Sequence, residues 1–260
     1  MATSLLGSSS VATKVSIIAI TAVLYAVGKA ATAFIPTPWG VGQLLVGVFL
    51  PVFFAVVSET LPVAIGAGLG TFIGDTLVLA PLGLTTPILS LVAGVPANFV
   101  GILLLGWFVK KYRSWAAFVA ATISFVTLGN LIAAVAVVLF LSLPTALILG
   151  LTVFWNTTSI PAILVAVPIL IRAARPLFGR SRILSNDPAW DVADRSKQTA
   201  LALAFGVLFL TLGIIFFIAA PPNTIATWPG LSSYFVLAAA IVIIFAPITS
   251  VVAGTRLRAR

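Results

Sequence analysis

The chain contains no cysteine and no histidine. Disulfides, thiolate chemistry, cysteine–histidine zinc sites and histidine-ligated haem or copper are therefore excluded, and so is a histidine proton relay. Charge is scarce too: 14 basic and 5 acidic residues make up only 7% of the 260 residues. No G-x-x-x-x-G-K-[ST] phosphate loop occurs, so the chain does not hydrolyse ATP by that route. It also lacks a nucleophile elbow and paired catalytic carboxylates. An enzyme is therefore not expected, nor is any cofactor or metal. The residues before Lys14 carry no side-chain charge. Without a basic n-region a cleavable secretory signal is not expected, and the first apolar run is expected to persist in the mature protein.

What the chain has is apolar surface. It is 61% hydrophobic, with a mean hydropathy of +1.25. A soluble domain of this length has too little polar surface to cover that content, whereas lipid removes the requirement. A helix crossing the hydrocarbon core needs about 20 mostly apolar residues. Runs of that kind fall at about 14–35, 41–57, 60–80, 87–109, 115–141, 146–171, 199–220 and 231–253. The fold expected is all-α: a polytopic transmembrane bundle with a six-helix core at 1–172, a polar linker at 173–198 and a two-helix hairpin within 199–260.

The breaks between runs have local causes. Pro36-Thr37-Pro38-Trp39-Gly40 ends the first run, because proline lacks a donor and restricts its predecessor. Ser58-Glu59-Thr60 followed by Pro62 reads as a helix start, with Glu59 in a capping role. The second run, short and glycine-containing, either spans with tilt or re-enters.

The net charge of +9 is accounted for by topology. With the N-terminus inside, the cytoplasmic segments hold Lys14, Lys110, Lys111, Arg113, Arg172, Arg175, Arg180, Arg182, Arg195, Lys197, Arg256, Arg258 and Arg260. Of the basic residues only Lys29 falls elsewhere. The positive-inside rule thus predicts a multi-pass cell-membrane protein with both termini cytoplasmic. Anionic lipid headgroups, and not nucleic acid, are the expected partners of this charge.

Ionisable residues within spans are functional candidates, because their burial in lipid is costly. Lys29 and Asp75 each lie about 15 residues, or about 22 Å, from the cytoplasmic start of their helices. Two readings are open for each. They meet as a buried pair or ligand site, or else Lys29 snorkels to the outer headgroups while Asp75 caps the turn before Pro81. Asn98, Asn130 and Asn156 place one amide on each of the fourth, fifth and sixth spans. These amides either bond neighbouring helices or face one cavity and read a polar ligand. Trp39 fits an outer aromatic belt, whereas Trp155 lies near mid-membrane, suited to stacking on a flat ligand or to packing against lipid. Gln43, Thr85 and Thr86, near the outer ends of spans, suit the rim of such a pocket. Ala22, Ala26 and Ala30 form a small-residue stripe that lets another helix approach closely, within this chain or from a partner.

From Lys14 to about Arg172 the order of features resembles the substrate-binding S components of energy-coupling factor transporters, importers of vitamins and related micronutrients. A basic residue leads into an alanine-rich first helix, then come a Pro-x-Pro turn at Pro36 and Pro38, a glycine-bearing second helix and the glycine-rich run from Gly66 ending in Gly74-Asp75. The resemblance implies that Ala22, Ala26 and Ala30 dock on a membrane scaffold subunit driven by ATPase subunits. It also implies an outer pocket for a small-molecule substrate, with Trp39, Asn98, Asn130 and Asn156 as pocket residues and Asp75 nearby. Six spans are usual in that family, so the hairpin at 199–253 is additional. Two other readings of the chain remain: a secondary transporter using Asp75, and a non-catalytic accessory subunit of a membrane enzyme complex.

Overall fold

The computed structural model describes residues 9–32, 35–188, 243, 244 and 248. The hairpin expected at 199–253 therefore lies, but for three isolated positions, outside the described residues. Within them the chain is helical, with no strand. Among the described residues five helices are long and apolar enough to cross a membrane: α1 (Val11–Thr32), α3 (Thr60–Leu79), α4 (Pro87–Tyr112), α5 (Trp115–Phe140) and α6 (Leu147–Leu177). The shortest of them, with 20 residues, rises about 30 Å, the thickness of the hydrocarbon core. The chain is thus an α-helical membrane protein.

The second apolar segment differs from its neighbours. Helix α2 (Val46–Val57) opens with one 3₁₀ turn and continues for nine α-helical residues. Its rise of about 18 Å falls short of the hydrocarbon core by itself, and the loop before it completes the passage from the end of α1 to the start of α3. Residues 41–45, expected within this helix, instead join the preceding loop. That loop is closed on itself: the Thr37 N–H donates to Gly42 O at 3.0 Å, the Thr37 hydroxyl to Val41 O at 2.6 Å and the Leu44 N–H to Ile35 O at 2.9 Å. Gly42 turns the chain at φ +80°, in the left-handed region that favours glycine.

Close approach of α1 and α3 sets the frame. A Cβ at Gly70 would lie 2.6 Å from Ala22 O, and one at Gly66 would lie 2.7 Å from Ile18 O. The helices therefore touch backbone to backbone, the geometry that small residues provide in membranes. Ala22 and Ala26 are 4% and 8% exposed and meet the glycines of α3, so of the two uses open for the stripe they serve packing within this chain. Ala30 is half-buried. The exposed side of α1 carries Val11, Val15, Val23 and Val27 instead.

Helices α4 and α5 use the same device at Gly101 and Gly129. A Cβ at Gly129 would sit 2.9 Å from Ala97 O. Helix α5 starts where Ser114 accepts the Ala117 N–H at 3.1 Å, satisfying one of the donors every helix start leaves unpaired. Helix α6 runs through Pro161 and Pro168 and ends at Leu177, a few residues into the segment assigned to the linker. The chain then folds back: Ile183 and Leu184 join the main core, and Asn186 donates its N–H to Val57 O at 2.9 Å and its amide to Val56 O at 2.6 Å. These bonds cap the C-terminus of α2. Glu59 stands at the start of α3 without capping it; its carboxylate accepts the Ser9 N–H at 3.2 Å.

Candidate functional site

The starts of α1, α3 and α5 and the ends of α4 and α6 share one end of the bundle, and Lys14, Lys110, Lys111, Arg113 and Arg172 lie there. The other end encloses a cavity of about 290 Å³. Lys29, the loop at 40–45, Asp75, the turn at 83–86 and residues of α4, α5 and α6 line it.

Its wall is set by an unusual pair of helix turns. Helix α3 ends in a π-helical turn at Asp75–Leu79, in which the Ala80 N–H donates to Asp75 O at 2.7 Å. Helix α4 carries a second such turn at Ser90–Gly94, closed from the Val95 N–H to Ser90 O. A π turn inserts one residue and so re-aims the side chains around it, and such turns concentrate at functional sites. Here the two turns begin with the two residues whose side chains meet: the Ser90 hydroxyl donates to Asp75 Oδ2 at 2.7 Å. The other oxygen, Asp75 Oδ1, lies 2.5 Å from Lys29 Nζ, with both side chains buried at 6% and 7% exposure. Gly94 makes room for this group, since a Cβ there would fall 2.8 Å from Thr71 Cγ2 and 3.3 Å from Asp75 Oδ2.

Of the two readings open for Lys29 and Asp75, the structure therefore shows the pair. Lys29 does not snorkel, and the Asp75 side chain does not cap the following turn.

The three asparagines divide. Asn98 accepts from the Tyr25 hydroxyl at 2.8 Å and donates to Gly94 O at 2.9 Å, joining α1 to α4. Asn130 donates to Asn156 Oδ1 at 2.8 Å, and Asn156 donates in turn to the Thr127 hydroxyl at 3.1 Å, joining α5 to α6. Asn98 and Asn130 line the cavity, whereas Asn156 is not among its lining residues. The amides thus serve both uses weighed for them, as bonds between helices and as cavity wall.

Trp155 lines the cavity, is 5% exposed and donates its indole N–H to Gln43 O at 3.0 Å. It faces the bundle interior and not lipid. Gln43 donates onward to Leu84 O at 3.0 Å, so Trp155, the loop after α1 and the turn after α3 are tied together across the cavity mouth. Thr85 and Thr86 line it as well. Trp39 is not among the lining residues: its ring packs over Gly150, where a Cβ would fall 2.6 Å from it.

Two residues escaped the sequence reading. Tyr25 lies one helical turn before Lys29, on the face that also holds Ala22 and Ala26, so its position signalled a role. Ser90 gave no such sign, because nothing in the sequence marks the π turn that aims it.

Comparison of the chain with protein-family models, with curated proteins and with solved structures gives no match.

Proposed function

We propose that this chain is the substrate-binding membrane subunit of an importer for a small polar nutrient, a vitamin or a precursor, energised by ATP hydrolysis in partner subunits. The observation that carries the binding half is the cavity. A bundle this apolar encloses a space walled by an ion pair, a serine, two asparagines and a tryptophan. Groups so expensive to keep out of water are what a polar ligand needs. At about 290 Å³ the space has room for about ten waters at about 30 Å³ each, at the lower end of ligand-pocket sizes.

In the proposed topology eight spans cross the cell membrane with both termini cytoplasmic, the last two at about 199–253. The positive-inside rule then puts the basic end in the cytoplasm and the cavity near the outer face, where an importer meets its substrate. The partner half, a scaffold subunit with ATPases, rests on the resemblance to S components and on the missing phosphate loop. With Ala22 and Ala26 turned inward, scaffold contact falls to another surface. The secondary-transporter reading wants a carboxylate free to carry a proton or ion; Asp75 is held between Lys29 and Ser90.

The test is mass spectrometry of the proteins and small molecules released from gently solubilised, affinity-purified chain. Recovery of a small polar molecule together with ATPase subunits is the expected result. Recovery of an unrelated enzyme complex and no ligand would overturn the proposal and make the chain an accessory subunit.

A further inference from the structure

We infer that the molecule held in this cavity carries no net charge at neutral pH, and that it binds by hydrogen bonds with the Lys29–Asp75 pair left intact. The inference rests on the binding reading above.

Among the described residues the lining contains two ionisable side chains, of opposite sign. They touch at 2.5 Å with almost no exposure, so each already has its counter-charge. Ser90 occupies the second oxygen of Asp75. The wall therefore offers no surplus charge of either sign. An ion entering it would lose hydration without gaining a counter-ion, which disfavours it against a neutral molecule. A neutral molecule has only its hydrogen bonds to replace.

Beside the ion pair, the groups left to bond it are neutral. Asn130 gives one of its two amide N–H donors to Asn156, and Gln43 gives one of its two to Leu84 O. The Oδ1 of Asn130 and the Oε1 of Gln43 accept no hydrogen bond from the described residues. The Thr85 hydroxyl, also in the wall, can donate or accept. Two carbonyl-type acceptors on residues of one small wall suit a ligand with N–H or O–H donors, and the second N–H of each amide suits an acceptor on it. The apolar wall at Val48, Ile102 and Phe125, together with Trp155, suits a flat or ring-like body.

The experiment screens purified full-length chain, by thermal shift with calorimetry on the hits, against a library of metabolites below about 20 non-hydrogen atoms. The library is divided into anions, cations and molecules without net charge. Binders confined to the last group are expected. A best binder that is an anion or a cation overturns this inference and leaves the importer reading standing. No binder in any group removes the importer reading, and the inference with it. Asp75→Asn gives a second readout, since it leaves the Lys29 charge uncompensated. An anionic analogue is expected to gain at least tenfold in affinity, the neutral binder changing less. If Asp75→Asn does not fold, Lys29→Gln gives the mirror test, with a cationic analogue gaining. A charged analogue that gains less than twofold in the variant used overturns the inference.

Discussion

The two ends of this bundle solve the same burial problem in opposite ways. At the basic end the core is apolar and aromatic: Phe108 packs against Tyr112 at 4.5 Å between centroids, and Trp115 against Phe118 at 5.4 Å, both pairs tilted. The helix junction there is closed from outside by the strap that carries Leu184 and Asn186, and by Lys110, which donates to Ser58 O and to the Thr60 hydroxyl. At the cavity end the helices loosen into π turns, α2 begins late, and polar side chains face a space that no side chain of the described residues fills. Packing density stabilises one end. The other keeps a void and buried charge, both costly, and regions that depart from the best-packed solution are where function resides.

The largest test of that contrast removes half of the ion pair. Lys29→Met leaves the Asp75 carboxylate buried with one hydrogen bond, and loss of about 3–5 kcal/mol is expected, read as a lowered unfolding temperature in detergent. The double variant Lys29→Met/Asp75→Leu removes both charges and is expected to recover most of that stability, because an apolar pair of similar volume replaces a desolvated one. A single variant that costs less than about 1 kcal/mol would mean that water reaches the pair, and the contrast between the ends would fail.

The second test strikes the basic end. Phe118 is fully buried in the main core, and Phe118→Ala is expected to cost about 3 kcal/mol through the cavity it leaves. Since Phe118 lies outside the cavity wall, ligand affinity in the folded variant is expected to stay within about twofold, or about 0.4 kcal/mol, of the parent chain. Calorimetry on the folded fraction separates the two effects. A large loss of affinity would show that packing at the basic end holds the cavity in shape.

Much of this architecture was readable from residue order. Runs expected at 60–80 and 115–141 appear as Thr60–Leu79 and Trp115–Phe140, because charge, proline and capping residues mark helix ends locally. The equal height of Lys29 and Asp75 along their helices was readable as well, since 1.5 Å per residue converts position into height, and the two meet. Which surfaces meet was not. The stripe of Ala22 and Ala26 gives a face that accepts a close neighbour, but periodicity carries no information on whose helix fills it. The answer lies in Gly66 and Gly70, far along the chain. The same limit hid the division of the asparagines, because each needs a partner and sequence does not rank the candidates. Ser90 and the π turns lay deeper still: an inserted residue in a helix leaves no periodic trace over a single turn.

The smallest test asks whether the two ends are coupled. Asn186→Ala removes the amide that reaches Val56 O and leaves the backbone bond from the residue 186 N–H to Val57 O. One carbonyl loses its donor, and about 1 kcal/mol of stability is expected to go with it. Helix α2, whose C-terminus this cap secures, begins next to the loop that closes the cavity, and Val48 near its start lines the wall. If α2 acts as a rigid rod, loosening its capped end moves Val48 and the loop, and ligand affinity falls with stability. If the 3₁₀ turn at Val46–Val48 isolates the rod from the loop, affinity is unchanged while the unfolding temperature drops. We expect the second result, because Trp155 and Leu84 hold the loop through Gln43 independently of α2. Parallel melting curves and binding isotherms on the one variant distinguish them.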